Sequence, residues 1–219
     1  MDESAPAITK MQTAGLSWSN LLSASPDAIT ALACLVVWIA PRALGQDAVK
    51  TLLLMMVMEF ITVHATGFFT TIALSDGIPP MRRIVHLLAL SLLYLLFIVG
   101  FSSAFHAWWP FTVFGWLVVG KIAWVFAKPR GRADELGRQM SMWAFSVVAY
   151  IGAVFAGLLL PLPQLGLDAA TVASLHLPAS GEWVAHPHKA VAGAFLYYAL
   201  LAAIKGRGAR LPNVKLEPA

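Results

Sequence analysis

Residues 50–74, KTLLLMMVMEFITVHATGFFTTIAL, form an apolar run long enough to cross a bilayer, yet they carry Glu59 and His64 near the midpoint. An ionisable group at that depth is costly and normally faces protein or a water-filled cavity rather than lipid. The run therefore needs other helices to shelter it, and a chain organised around it is expected to form a helical membrane bundle.

Composition supports this. Of the 219 residues, 59% are hydrophobic and 12% are charged, with a mean hydropathy of +0.74. An ordinary soluble domain carries about a quarter charged residues. The net charge of +4 sits in a few loops, where it reads as a topology signal toward anionic lipid headgroups. No basic stripe with interleaved aromatics is present, so no nucleic-acid partner is expected. The single cysteine, Cys34, excludes an internal disulfide and reads as a small buried hydrophobe. The opening residues lack the apolar core of a cleavable signal peptide, and the first membrane helix is expected to act as the insertion signal.

Punctuation along the chain divides it into six spans. Residues 1–25 read as a cytoplasmic N-terminal segment with a short amphipathic turn around Trp18, Leu21 and Leu22. Ser25-Pro26-Asp27 reads as a helix start: serine as cap, proline in the first turn, an acid near the positive helix end. The first helix runs from there to about Leu44, and the second is the opening stretch. Pro79-Pro80 ends that helix, and a third runs from Met81 to about Phe105. The Trp108-Trp109-Pro110 turn leads into a fourth helix, ending near Phe126. A fifth spans roughly 139–160 and stops at Pro161-Leu162-Pro163. A short interfacial helix capped by Asp168 is expected in the following connection. The sixth runs from about His188 to Ile204. The expected fold is thus an all-α polytopic integral membrane bundle of six transmembrane helices over 26–204, followed by a basic cytoplasmic tail, 205–219. The basic residues Arg82, Arg83, Lys128, Arg130, Arg132, Arg138, Lys205, Arg207 and Arg210 fall on one side of a six-span topology. By the positive-inside rule both termini are expected in the cytoplasm, across a bacterial-type plasma membrane.

At about 100° per residue, Glu59, Thr62, Thr66 and Thr70 share one stripe of the second helix, while His64 lies about 140° from Glu59. The helix therefore has two polar faces and is expected to be central. A threonine can bond back to its own helix, but threonines in line with a glutamate resemble the lining of a polar pathway. Glu59 reads as a proton- or cation-binding carboxylate, or else as a structural acid paired across the bundle. Lys121 reads as snorkelling to the interface. His64 reads as a relay, a metal or haem ligand, or a hydrogen-bonded core histidine. The one partner for a bis-histidine haem, His86, is misplaced in depth by roughly 9 Å.

His106, His176, His186 and His188 all belong to outer loops or outer helix ends, with Glu182 close by. Imidazole and carboxylate together suit zinc or copper, so these residues and His64 form a candidate metal set. Met55, Met56 and Met58 add thioethers, which also serve as packing. Small residues at Ala149, Ala153 and Gly157, and at Ala190, Gly193 and Ala194, offer faces for close helix approach or for a homo-oligomer or another membrane subunit. Tyr150, Tyr197 and Tyr198 read as caps for polar groups in the bundle or, more commonly for such residues, as an interfacial aromatic belt.

The leading functional expectation is a small transporter or permease with a polar pathway through Glu59, Thr62, His64 and Thr66. The alternative is a metal-binding membrane protein or a subunit of a redox or metal-handling system, with a transition metal as its cofactor. A third is an accessory subunit without chemistry of its own. Phosphate-binding loops and hydrolase elbows are absent from the sequence, and enzymatic activity is not the expectation.

Overall fold

The computed structural model describes residues 17–75, 77–127 and 132–208, with residues 132–134 described by backbone alone. The far N-terminal segment, the centre of the charged loop after the fourth span, and the tail beyond residue 208 lie outside the described residues. The chain is all-helical: α1 Trp18–Ile39, α2 Ala48–Leu74, α3 Pro80–Ala104, α4 Trp109–Phe126, α5 Arg132–Leu159, α6 Ala169–Ser174, α7 Glu182–Ala185 and α8 Pro187–Gly206. Six of these, α1 to α5 and α8, are long and apolar enough to cross a membrane.

The main departure from the expected boundaries is at the start. Helix α1 begins at Trp18, so Pro26 lies inside it and the Ser25-Pro26-Asp27 start is overturned. Proline removes the N–H that would reach the Leu22 carbonyl. The Ser25 hydroxyl fills that vacancy, donating to Leu22 O at 2.9 Å, so the helix continues through the proline. Asp27 is not a first-turn acid but a buried one, 8% exposed. It pairs with Lys205, which belongs to α8 rather than to a tail, at 2.7 Å. Helix α5 also begins earlier than expected, extending through Glu135 and Arg138.

Helix α2 is central: it packs against each of the other five long helices. On one flank α3 and α4 close over it through an aromatic group. Phe69 lies 5.9 Å from Tyr94 and 6.1 Å from Phe114, centroid to centroid. The buried Arg83 ties the α2–α3 turn by donating to Ala73 O and Ile78 O, each at 2.9 Å. On the other flank stand α5 and α8, which pack antiparallel through their small residues. A Cβ on Gly157 would lie 2.6 Å from Lys189 O, and one on Gly193 would lie 3.0 Å from Ala153 O. The small faces that suggested an oligomer are therefore used inside the chain, against each other. Helix α1 lies along α8, with Ala24 near Gly206 and Asn20 near Gly208. The start of the first span and the end of the last thus meet on one side, called here the terminal side.

The opposite side is covered by the 161–186 connection. Trp38 Nε1 donates to Pro163 O at 2.9 Å, and Gly166 N donates to Trp38 O at 3.1 Å. A side chain at Gly166 would collide with Ile39 O, and Leu167 is 1% exposed. The expected short helix is present as α6, with Asp168 accepting from Thr171 N at 2.7 Å.

Candidate functional site

The polar stripe of α2 opens into a cleft of about 320 Å³. From α2 it is lined by Glu59, Thr62, Val63 and Thr66, and from α5 by Arg138, Gln139, Met142, Trp143 and Ser146. Asp27 of α1 and Tyr197, Leu201 and Lys205 of α8 complete it. Asp27, Lys205, Arg138 and Gln139 sit near helix ends on the terminal side, so they form the mouth. Glu59 precedes the end of α2 by fifteen residues, about 22 Å at 1.5 Å per residue. The cleft thus runs from the terminal side to a carboxylate near mid-span.

Two tyrosines hold that carboxylate. Tyr197 OH donates to Oε1 at 2.6 Å and Tyr198 OH to Oε2 at 3.3 Å. Consecutive residues on α8 point about 100° apart, so the pair straddles the acid, with ring centroids 4.9 Å apart. Tyr197 is 1% exposed and Tyr198 7%. They are core residues, and the interfacial-belt expectation for them is overturned. A third tyrosine, Tyr150, is also in the core and donates to Met56 O at 2.8 Å.

The other charges of the cleft are matched. Asp27 meets Lys205, and Arg138 meets Glu135 through Nε at 3.0 Å and Nη2 at 2.6 Å. Gln139 donates to Glu135 Oε1 at 2.6 Å. Among the described residues no cation lies within ion-pair distance of Glu59. Lys121 does not snorkel outward but turns in to donate to Thr70 Oγ1 at 2.7 Å, with Gln139 Oε1 at 3.5 Å. The third threonine of the stripe therefore serves a polar chain leading to the mouth.

Trp143 stands in the α5 wall of the cleft. Its Nε1 donates to Val63 O at 2.8 Å. The ring lies so close to α2 that a Cβ on Gly67 would be 2.5 Å from Cε2. Glycine there lets the indole reach the α2 backbone. Thr62 returns its hydroxyl to Glu59 O at 3.2 Å and Ser146 to Met142 O at 3.0 Å, leaving oxygen lone pairs as acceptors in the cleft.

His64 does not line the cleft. It lies on the other polar face, with Nδ1 2.9 Å from Phe60 O and its ring 4.3 Å from that of Phe60. Because a carbonyl only accepts, Nδ1 carries the proton. The outer histidines are brought together only in part. The rings of His186 and His188 are 6.0 Å apart, with His188 buried and His186 exposed. Glu182 is engaged by Lys189 at 2.7 Å, and that hydrogen bond holds its carboxyl below the usual range. His106 and His176 occupy left-handed turn positions, φ 49° and 45°, and His176 Nδ1 sits 3.1 Å from Ser174 O. Among the described residues no three or more His, Cys, Asp or Glu side chains gather as a metal site. Met56 and Met58 are core, 1% and 2% exposed.

No protein-family model, curated protein or solved structure matches the chain.

Proposed function

We propose that this protein is a small permease-like transporter whose pathway enters from the terminal side and ends on Glu59, where a proton or cation binds. What supports the reading is one observation: a mid-span carboxylate with no counter-charge among the described residues stands at the inner end of an open cleft. A carboxylate inside a membrane marks an ion or substrate pathway by default. Its two phenol partners donate hydrogen bonds but bring no positive charge, so the missing charge arrives with the cargo. Thr62 and Thr66 line the way, and Gln139, Arg138, Asp27 and Lys205 form the mouth. His64 is left out of the pathway.

In this reading the terminal side, which carries Arg82, Arg83, Arg138, Lys205 and Arg207, faces the cytoplasm of a bacterial-type plasma membrane. The 161–186 cover over the far ends of the helices makes the described form inward-open. The experiment is charge displacement in proteoliposomes on a solid-supported membrane after a jump in pH or cation concentration. A transient current that disappears in Glu59→Gln and persists in His64→Ala is the expected result. Equal currents in Glu59→Gln and the parent protein would overturn it.

A further inference from the structure

We infer that the cargo of the cleft is a small organic ammonium ion, with Glu59 as its counter-ion and Trp143 as the wall against its carbon skeleton. The inference rests on the cation pathway proposed above and names the chemical class that uses it.

Charge sets the sign. Asp27–Lys205 and Arg138–Glu135 are closed pairs at 2.7 and 2.6 Å, so Glu59 is the unmatched charge of the lining and repels an anion. Size argues against a bare ion: about 320 Å³ exceeds the share of one water by roughly tenfold and falls at the low end of small-molecule sites. The lining gives the class. Hard metal ions such as calcium take about six to eight oxygens. Here Thr62, Thr66 and Ser146 alternate with Val63, Met142, Trp143 and Leu201. Apolar wall with a few oriented polar groups is the pattern of a site for a molecule with a carbon skeleton. The Thr62 and Ser146 hydroxyls have acceptor lone pairs for ammonium N–H groups, since their protons go to Glu59 O and Met142 O. Finally, Trp143 is fixed in advance by its bond to Val63 O and its contact at Gly67. A preorganised indole in the same lining as a carboxylate attracts an alkylammonium both by its apolar surface and by its ring quadrupole.

The test uses the full chain in maltoside micelles, which avoids the choline headgroups of lipid vesicles. Isothermal titration calorimetry at neutral pH compares propylammonium, the neutral alcohol 1-butanol, and sodium and potassium ions. Propylammonium is expected to bind saturably at one site per chain. Butanol at tenfold higher concentration is expected not to compete. Glu59→Gln is expected to weaken propylammonium at least tenfold, and Trp143→Leu several-fold. Competition by butanol as strong as by propylammonium would overturn the inference, and this comparison needs no variant if Glu59→Gln fails to fold. Full affinity in a folded Trp143→Leu would overturn the role of the wall. Absence of amine binding while proton- or sodium-driven currents still depend on Glu59 would sink the inference and leave the proposed function standing. Absence of both would sink the two together.

Discussion

At the residue scale, Glu59 illustrates what burial demands of neighbours. A carboxylate that gives up water must recover hydrogen bonds, and here two phenols supply them at 2.6 and 3.3 Å. Tyr197→Phe removes the shorter bond and is expected to cost about 1–2 kcal/mol of unfolding free energy; Tyr198→Phe costs less than about 1 kcal/mol. Thermal unfolding in detergent reads the order, and a larger loss from Tyr198→Phe would contradict it. Gly67→Ala belongs to the same scale. Its Cβ would sit 2.5 Å from the Trp143 ring, so the indole must move and its bond to Val63 O must stretch or break. Overpacking of this kind costs about 1–3 kcal/mol. The expected signature is a lower Tm together with altered tryptophan emission, whereas Gly120→Ala, with nothing within 4 Å of its Cβ, leaves both unchanged.

At the element scale, helical period alone brought out the stripe of Glu59, Thr62, Thr66 and Thr70 and set His64 apart from it. These are properties of one helix, legible because rotation per residue is fixed. What the stripe touches is a property of other helices. Tyr197 and Tyr198 carry no local mark separating a core phenol from a belt phenol, and Asp27 after Pro26 resembles a first-turn acid until Lys205 is seen opposite it. Small residues announced close packing correctly, but partner choice was invisible until Gly157 and Gly193 met α8 and α5. Gly157→Leu is therefore expected to push against the Lys189 carbonyl, which as backbone has little room to yield, and to lower stability by more than Gly152→Leu, which has open space around it. The short outer helices make a second prediction. Asp168 and Glu182 both have carboxyls held below their ordinary range, by the Thr171 N–H and the Lys189 ammonium respectively. A lowered folded value means that the stabilisation is present at neutral pH and is lost as pH falls through that value. Once intrinsic rates are corrected for pH, amide exchange in 169–174 and 182–185 is expected to show less protection at pH 3 than at pH 7. Equal protection at both would refute it.

At the scale of the whole molecule, the ends of the bundle are joined by one ion pair. Helix α1 lies along α8, but the two are far apart in sequence, and few contacts run directly from α1 to α2. The first span is therefore placed mainly by the last. Asp27 and Lys205 close that contact at 2.7 Å, with side chains 11% and 28% exposed. That burial lies between a surface pair, worth under about 1 kcal/mol, and a fully buried one, whose disruption costs about 3–5 kcal/mol. Asp27→Asn or Lys205→Met is accordingly expected to cost about 1–3 kcal/mol, each leaving one charge without its partner at the cleft mouth. The exchanged double variant, Asp27→Lys with Lys205→Asp, restores opposite charges across the same gap. It is expected to recover at least half of that loss. A double variant no more stable than the worse single would mean that each residue acts alone, through solvation, and that packing of α1 on α8 owes nothing to the pair. The same variants separate architecture from transport. Both single changes alter the mouth but leave Glu59 and its two tyrosines in place. For a cationic cargo the two act in opposite directions: Asp27→Asn leaves an unpaired ammonium at the mouth and is expected to slow entry, whereas Lys205→Met leaves an unpaired carboxylate and is expected to speed it, measured as opposite changes in association rate after correction for the folded fraction.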